Sequence, residues 1–181
     1  TLWNEDVARL SGEANVTLPS HLIAPYLFKE PAAPHVAAAL EDQQIDPATI
    51  FTAFEQIRAQ TEAIIVEGVG GFCVPLTPQT NMADIAARLQ LDVILVVGLR
   101  LGCLNSAILS AEAILRDGLK LAGWVGNHLT EDWAHGDDNL ATLYSLLPAP
   151  CLGIVPWRPA ETAAERGRYL NLSALALPAP V

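Results

Sequence analysis

Ala63-Ile64-Ile65-Val66-Glu67-Gly68-Val69-Gly70-Gly71 joins a short apolar run to an acid and a glycine-rich turn. The run is continuous rather than alternating, as in parallel strands covered on both faces. Three more runs of this kind follow: Val93-Ile94-Leu95-Val96-Val97, Leu121-Ala122-Gly123-Trp124-Val125 and Cys151-Leu152-Gly153-Ile154-Val155. Each gives way to Gly, Pro or an acid, so loops begin at the carboxyl ends. Helical patterns lie between them. Asp46-Pro47 makes an N-cap and N1 pair ahead of Ile50, Phe54 and Ile57. Asn105 can cap a helix with Ile108, Ala111 and Leu115 on one face and Gly118 as its stop. Leu140, Leu143 and Leu147 form a shorter stripe ending at Pro148, and residues 160–166 predict a short last helix. This alternation predicts an α/β fold with one doubly wound, mainly parallel sheet and a single domain over residues 1–181. The Ala- and Pro-rich end from Leu175 to Val181 is expected to fray.

The chain has 181 residues, about half of them apolar, and a formal charge of −10. That charge argues against broad nucleic-acid binding, which needs a basic footprint. No apolar run is long enough to span a membrane, and the acidic start from Thr1 to Asp6 does not read as a secretory signal. Cys73, Cys103 and Cys151 are odd in number and far apart, which predicts free thiols and a cytoplasmic setting.

In open α/β sheets, ligands bind beyond the carboxyl ends of the strands. Glu67 leaves such an end and enters the glycine run Gly68-Val69-Gly70-Gly71. A carboxylate there can reach a metal ion, and glycines let backbone N–H groups approach phosphate. By itself the run reads equally as a tight turn with Glu67 in solvent. Asn127 lies just past a buried strand, where a carboxamide can read an adenine edge or serve as an Asx-turn or cap. The metal-like look of His35, His128 and His135 is offset by the absence of zinc-type spacing.

Five segments, taken in order, resemble the dethiobiotin synthetase family. They are Phe28-Lys29-Glu30-Pro31-Ala32-Ala33-Pro34-His35, Val66-Glu67-Gly68-Val69-Gly70-Gly71, Val96-Val97-Gly98-Leu99-Arg100-Leu101-Gly102-Cys103-Leu104-Asn105, Leu121-Ala122-Gly123-Trp124-Val125-Gly126-Asn127, and Pro148-Ala149-Pro150 with Ile154-Val155-Pro156-Trp157. Arg168-Tyr169-Leu170-Asn171-Leu172 fits the family ending. The resemblance implies a sheet of the P-loop NTPase type. It also implies an ATP- and Mg²⁺-dependent ligase that closes the ureido ring of dethiobiotin from 7,8-diaminononanoate and CO₂, acting as a homodimer.

Carried over by position, Asp6 and Glu67 resemble the metal carboxylates. Read alone, Asp6 is an acid pairing with a helix start. The ATP side comprises Asp6, Glu67, Gly68, Val69, Gly70, Asn127, His128, Pro156, Trp157, Arg158 and Glu161, with Glu165 as a rival to Glu161. His128 stands where the family often has an acid, and Trp157 alone reads as a core or rim aromatic. Gly70, Gly102, Cys103, Leu104 and Asn105 face the substrate, the last four at a helix start that favours a carboxylate. Cys103 is expected to pack rather than to act as a nucleophile. Pro34-His35 is expected to shape a loop near the diamine.

Gly-Lys-Thr and Gly-Lys-Ser occur nowhere in the 181 residues, and neither Lys29 nor Lys120 is followed by Pro. The first strand and P-loop helix of the family pattern are therefore missing, and no catalytic residue is assigned. The 181-residue polypeptide is expected to be inactive and, lacking an interior strand, to aggregate. Two other readings fit in part: a different P-loop synthetase such as a cobyrinate amidase-like enzyme, and a non-catalytic dimerisation or binding module derived from the enzyme.

Overall fold

A computed structural model describes residues 4–175. They form two compact units, one up to Leu89 and one from Gln90 onward.

The first unit is helical. It contains α1 (Glu5–Glu13), α2 (Ser20–Ile23), α3 (Pro34–Leu40), α4 (Pro47–Arg58) and α5 (Met82–Leu89). Local chemistry sets the helix starts. The Asn4 side chain accepts from the amides of Asp6 and Val7, and Asp46 accepts from Ala48 with Pro47 at the first helical position. Asn81 and Asp84 cap α5 reciprocally, at 2.7 and 3.1 Å. Ala38, Ile45, Leu76 and Ile85 are the buried centre, wrapped by Tyr26, Phe28, Ile50, Phe51, Met82 and Leu89.

The second unit carries the sheet. Strand β1 (Val93–Leu99) is followed by α6 (Cys103–Arg116), β2 (Leu121–His128), α7 (Gly136–Leu146), β3 (Cys151–Val155) and α8 (Ala163–Gly167). The strands lie in the order β1-β2-β3 and both pairings are parallel. Central β2 buries Trp124 completely. Its Gly123 and Gly126 leave room for Leu152 and Ile154, whose side chains lie 2.6 and 2.7 Å from where a Cβ would stand. Three of the four predicted strands thus form, joined by helices in the expected alternation.

Three expectations need correction. The segment 63–68 has no regular secondary structure and pairs with no strand among the described residues, and Ile65 is 91% exposed. A strand exists only where a neighbour completes its ladder, so an apolar run supplies the propensity without the pairing. Asn105 does not cap α6. Gly102 is the cap, in the left-handed region at φ +91, and Asn105 lies inside the first turn. The buried stripe of α6 is Cys103, Ala107, Ala111 and Ile114, whereas Leu115 is half exposed. Small residues at that stripe let the helix approach the sheet closely, which a stripe chosen for bulk overlooks. The stop at Gly118 (φ +77) and the burial of Leu143 and Leu147 match expectation.

Candidate functional site

The first unit holds the Glu67 segment. Glu67 ends the apolar run, is exposed, and has no hydrogen bond or ion pair with any described residue. Beyond it the chain turns through Gly70 at φ +73, where an added Cβ would stand 3.0 Å from Val74. The turn is then tied down. The Val74 amide donates to Gly71 O at 3.2 Å, Met82 N donates to Val74 O at 2.9 Å, and Pro75 and Asn81 form an antiparallel bridge. His35, near the start of α3, brings its Nδ1 within 3.3 Å of Pro75 O. The glycine turn therefore rests on a braced loop, with the preceding carboxylate left free. Asp6 sits in the first turn of α1, exposed, behind the Asn4 cap. It occupies the helix-start position that its reading in isolation anticipated.

In the second unit the site residues gather at the carboxyl ends of β2 and β3. Strand β2 runs further than its apolar core, so Asn127 and His128 are its last residues rather than part of a loop. Asn127 aligns with Gly98 on one side and Val155 on the other. Its carboxamide makes no hydrogen bond with the described residues, so it serves as neither an Asx-turn nor a cap. His128 packs edge-on against Trp133, ring centres 6.0 Å apart.

Pro156, Trp157 and Arg158 leave β3 as irregular chain, with Trp157 41% exposed. The two rival acids have separate roles. Glu165 closes a capping box on α8, its Oε2 accepting from the Thr162 amide at 2.8 Å and the Thr162 hydroxyl at 2.9 Å. Those bonds, the backbone one first, hold its carboxyl below the ordinary glutamate range. Glu161 is only 16% exposed and accepts from Arg168 and, at 3.2 Å, from the Tyr169 hydroxyl. Its other oxygen, Oε2, is buried and has no hydrogen-bond partner among the described residues. The Arg168–Tyr169 contribution was not legible in sequence, where these residues matched only a family ending.

At the start of α6, Gly102 carries no side chain to cap the helix. The Cys103 amide is turned back to Arg100 O at 3.1 Å. Cys103 is buried, which fits packing, while Leu104 is half-buried and Asn105 exposed. All three cysteines are free thiols. No group of three or more His, Cys, Asp or Glu among the described residues could hold a metal alone. No helix among them is long and apolar enough to cross a membrane.

Residues 2–165 match the family model described as an AAA domain. The chain is 49% identical over 175 residues to an ATP-dependent dethiobiotin synthetase from Janthinobacterium sp. (strain Marseille), covering 96% of this chain and 74% of that relative. It is 48% identical to the corresponding protein of Aromatoleum aromaticum, with 90% and 74% covered. Against that of Ralstonia nicotianae it is 45% identical, with 95% and 75% covered. The chain belongs to the dethiobiotin synthetase family. Its α/β fold with a parallel sheet is accordingly of the P-loop NTPase type, and the family is one of ligases in biotin biosynthesis. Within it, the apolar run ending at Glu67 and the ends of β2 and β3 carry motifs quoted above.

Proposed function

We propose that this chain supplies most of the site of an ATP-dependent cyclo-ligase that makes dethiobiotin from 7,8-diaminononanoate and CO₂. The observation that carries this reading is Glu67, a carboxylate with no partner among the described residues, placed directly before a braced glycine turn. Similarity at 49% identity across 96% of the chain supports the choice of ligase.

The roles divide by chemistry. Glu67 and Asp6 offer oxygen donors suited to Mg²⁺, which commonly takes one or two carboxylates and completes its shell with phosphate and water. Both carboxylates are exposed and make no ion pair with the described residues. The bound ion would neutralise phosphate charge. Gly68, Val69 and Gly70 present backbone to the phosphates and substrate. Asn127 offers both a donor and an acceptor to the adenine edge. His128, Pro156, Trp157, Arg158 and Glu161 line the nucleoside. Gly102, Cys103, Leu104 and Asn105 bring the start of a 14-residue helix to the substrate carboxylate, with the amides beyond Cys103 as its donors. In a homodimer that helix start would complete the neighbour's site. A cytoplasmic location accords with the free thiols.

Residues 1–181 contain no Gly-Lys-Thr or Gly-Lys-Ser, so the phosphate cradle must come from elsewhere for turnover. The test is to place the strand, phosphate-binding loop and helix of a dethiobiotin synthetase ahead of Thr1. That protein should form dethiobiotin from the diamine, CO₂, ATP and Mg²⁺, while the 181-residue polypeptide should form none. Product from the shorter polypeptide would refute the need for a cradle. ATP turnover by the longer one with a substrate other than the diamine would redirect the function.

A further inference from the structure

We propose that Arg168 and Tyr169 are positioning residues for the nucleoside. They fix the Glu161 carboxylate and, with Arg166, the shape of the Trp157–Glu161 turn. This rests on the reading of that turn as the nucleoside wall.

The turn has little order of its own. Its one internal backbone bond runs from Glu161 N to Arg158 O at 3.1 Å, and Trp157 and Arg158 stand exposed. Its constraints come from the next dozen residues. Arg166 Nη2 donates to Arg158 O at 2.9 Å. The Tyr169 hydroxyl donates to Glu161 Oε1 at 3.2 Å and accepts from Arg168 Nη2 at 3.3 Å. Arg168 Nη2 also donates to Glu161 Oε1. The guanidinium pKa is raised, first by the Tyr169 bond and then by the Glu161 charge.

This strap is itself fastened to the strand from which the turn departs. Leu170 bridges Gly153 in antiparallel fashion, and Asn171 N donates to Leu152 O at 2.7 Å. The chain therefore leaves β3, makes the turn, and returns to β3 with the turn's carboxylate held between. Arg168 is 58% exposed, and ion pairs so exposed add little to stability. What the network does fix is geometry. One Glu161 oxygen takes both donors, and the other is buried with no hydrogen-bond partner among the described residues, so the carboxylate is held in place with an acceptor unspent. A preorganised acceptor costs a ligand less ordering on binding.

The experiment titrates the protein completed with a phosphate-binding loop ahead of Thr1 with adenosine, a probe without phosphates, by saturation-transfer NMR and by tryptophan emission. Tyr169→Phe and Arg168→Met should each weaken adenosine about threefold to tenfold, the scale of one lost hydrogen bond. Melting temperatures should move by no more than about 3 °C. Arg168→Lys should recover part of the affinity, because the contact uses one nitrogen. Unchanged affinity in both variants overturns the positioning role and leaves the nucleoside wall standing. A fall in affinity that only tracks a large fall in melting temperature, with no recovery in Arg168→Lys, marks a structural role and also overturns it. No adenosine signal from the unsubstituted chain overturns the nucleoside wall, and the positioning role with it.

Discussion

The backbone of Tyr169 passes so close to Gly153 that a Cβ at Gly153 would overlap the Tyr169 carbonyl oxygen. Gly153 also sits at φ +154, where side-chain-bearing residues are strained. Gly153→Ala must therefore push the returning strap off β3 or bend the strand. The expected loss is about 2 kcal/mol or more, read as a lower midpoint in urea unfolding. A midpoint within error of the parent would mean that the close approach is not kept in solution.

The α8 cap gives a pH dependence. Bonds from Thr162 lower the folded pKa of Glu165 below its unfolded value. The sign follows from linkage: the contribution is fully present above the unfolded value, about 4.3, and is lost as pH falls through the lowered folded value. Glu165→Gln should therefore flatten the acid limb of α8 stability below about pH 4. Amide exchange of Arg166 and Gly167, followed between pH 3 and pH 6, reads this directly. Identical acid limbs in parent and variant would dismiss the cap as the cause.

Glu67 is the residue on which the functional proposal leans most. In the protein completed with a phosphate-binding loop, Glu67→Gln should lower dethiobiotin formation on the order of a hundredfold. The Mg²⁺ concentration for half-maximal rate should rise, because a carboxylate ligand has become a neutral amide. Asp6→Asn should show the same pattern. A rate loss with no change in Mg²⁺ dependence would argue that Glu67 acts on something other than the ion.

Ile65 is 91% exposed, and Val66 and Val69 are 41% and 50% exposed. An exposed apolar run with no ladder partner among the described residues invites pairing with other chains. The 181-residue polypeptide should therefore self-associate at moderate concentration, and Ile65→Glu should reduce this in light scattering. Equal scattering from both proteins would place the sticky surface elsewhere. Val96, 62% exposed on β1, would be the next residue to change.

Much of the fold was readable because its signals are local. The apolar runs of β1, β2 and β3, the Asp46-Pro47 start of α4 and the stop at Gly118 depend on neighbours a few residues away. The glycine turn after Glu67 was readable for the same reason, since only glycine suits Gly70 where the backbone is left-handed. Misreadings arose where a distant partner decides. Leu115 and Ile114 have equal apolar character, and only the packing of α6 chose Ile114 for burial. Asn105 is a good cap by composition, yet the turn through Gly102 placed the helix start earlier.

The amino-acid sequence by itself determined the α/β alternation, the carboxyl ends of the three strands and the membership of the dethiobiotin synthetase family. These follow from hydrophobic period, turn chemistry and ordered motifs, all written along the chain. Tertiary structure alone decided that residues 63–68 remain unpaired, that Glu165 caps a helix, and that Arg168 and Tyr169 hold Glu161. A ladder and a side-chain network each need a partner in space. No local propensity specifies where that partner lies.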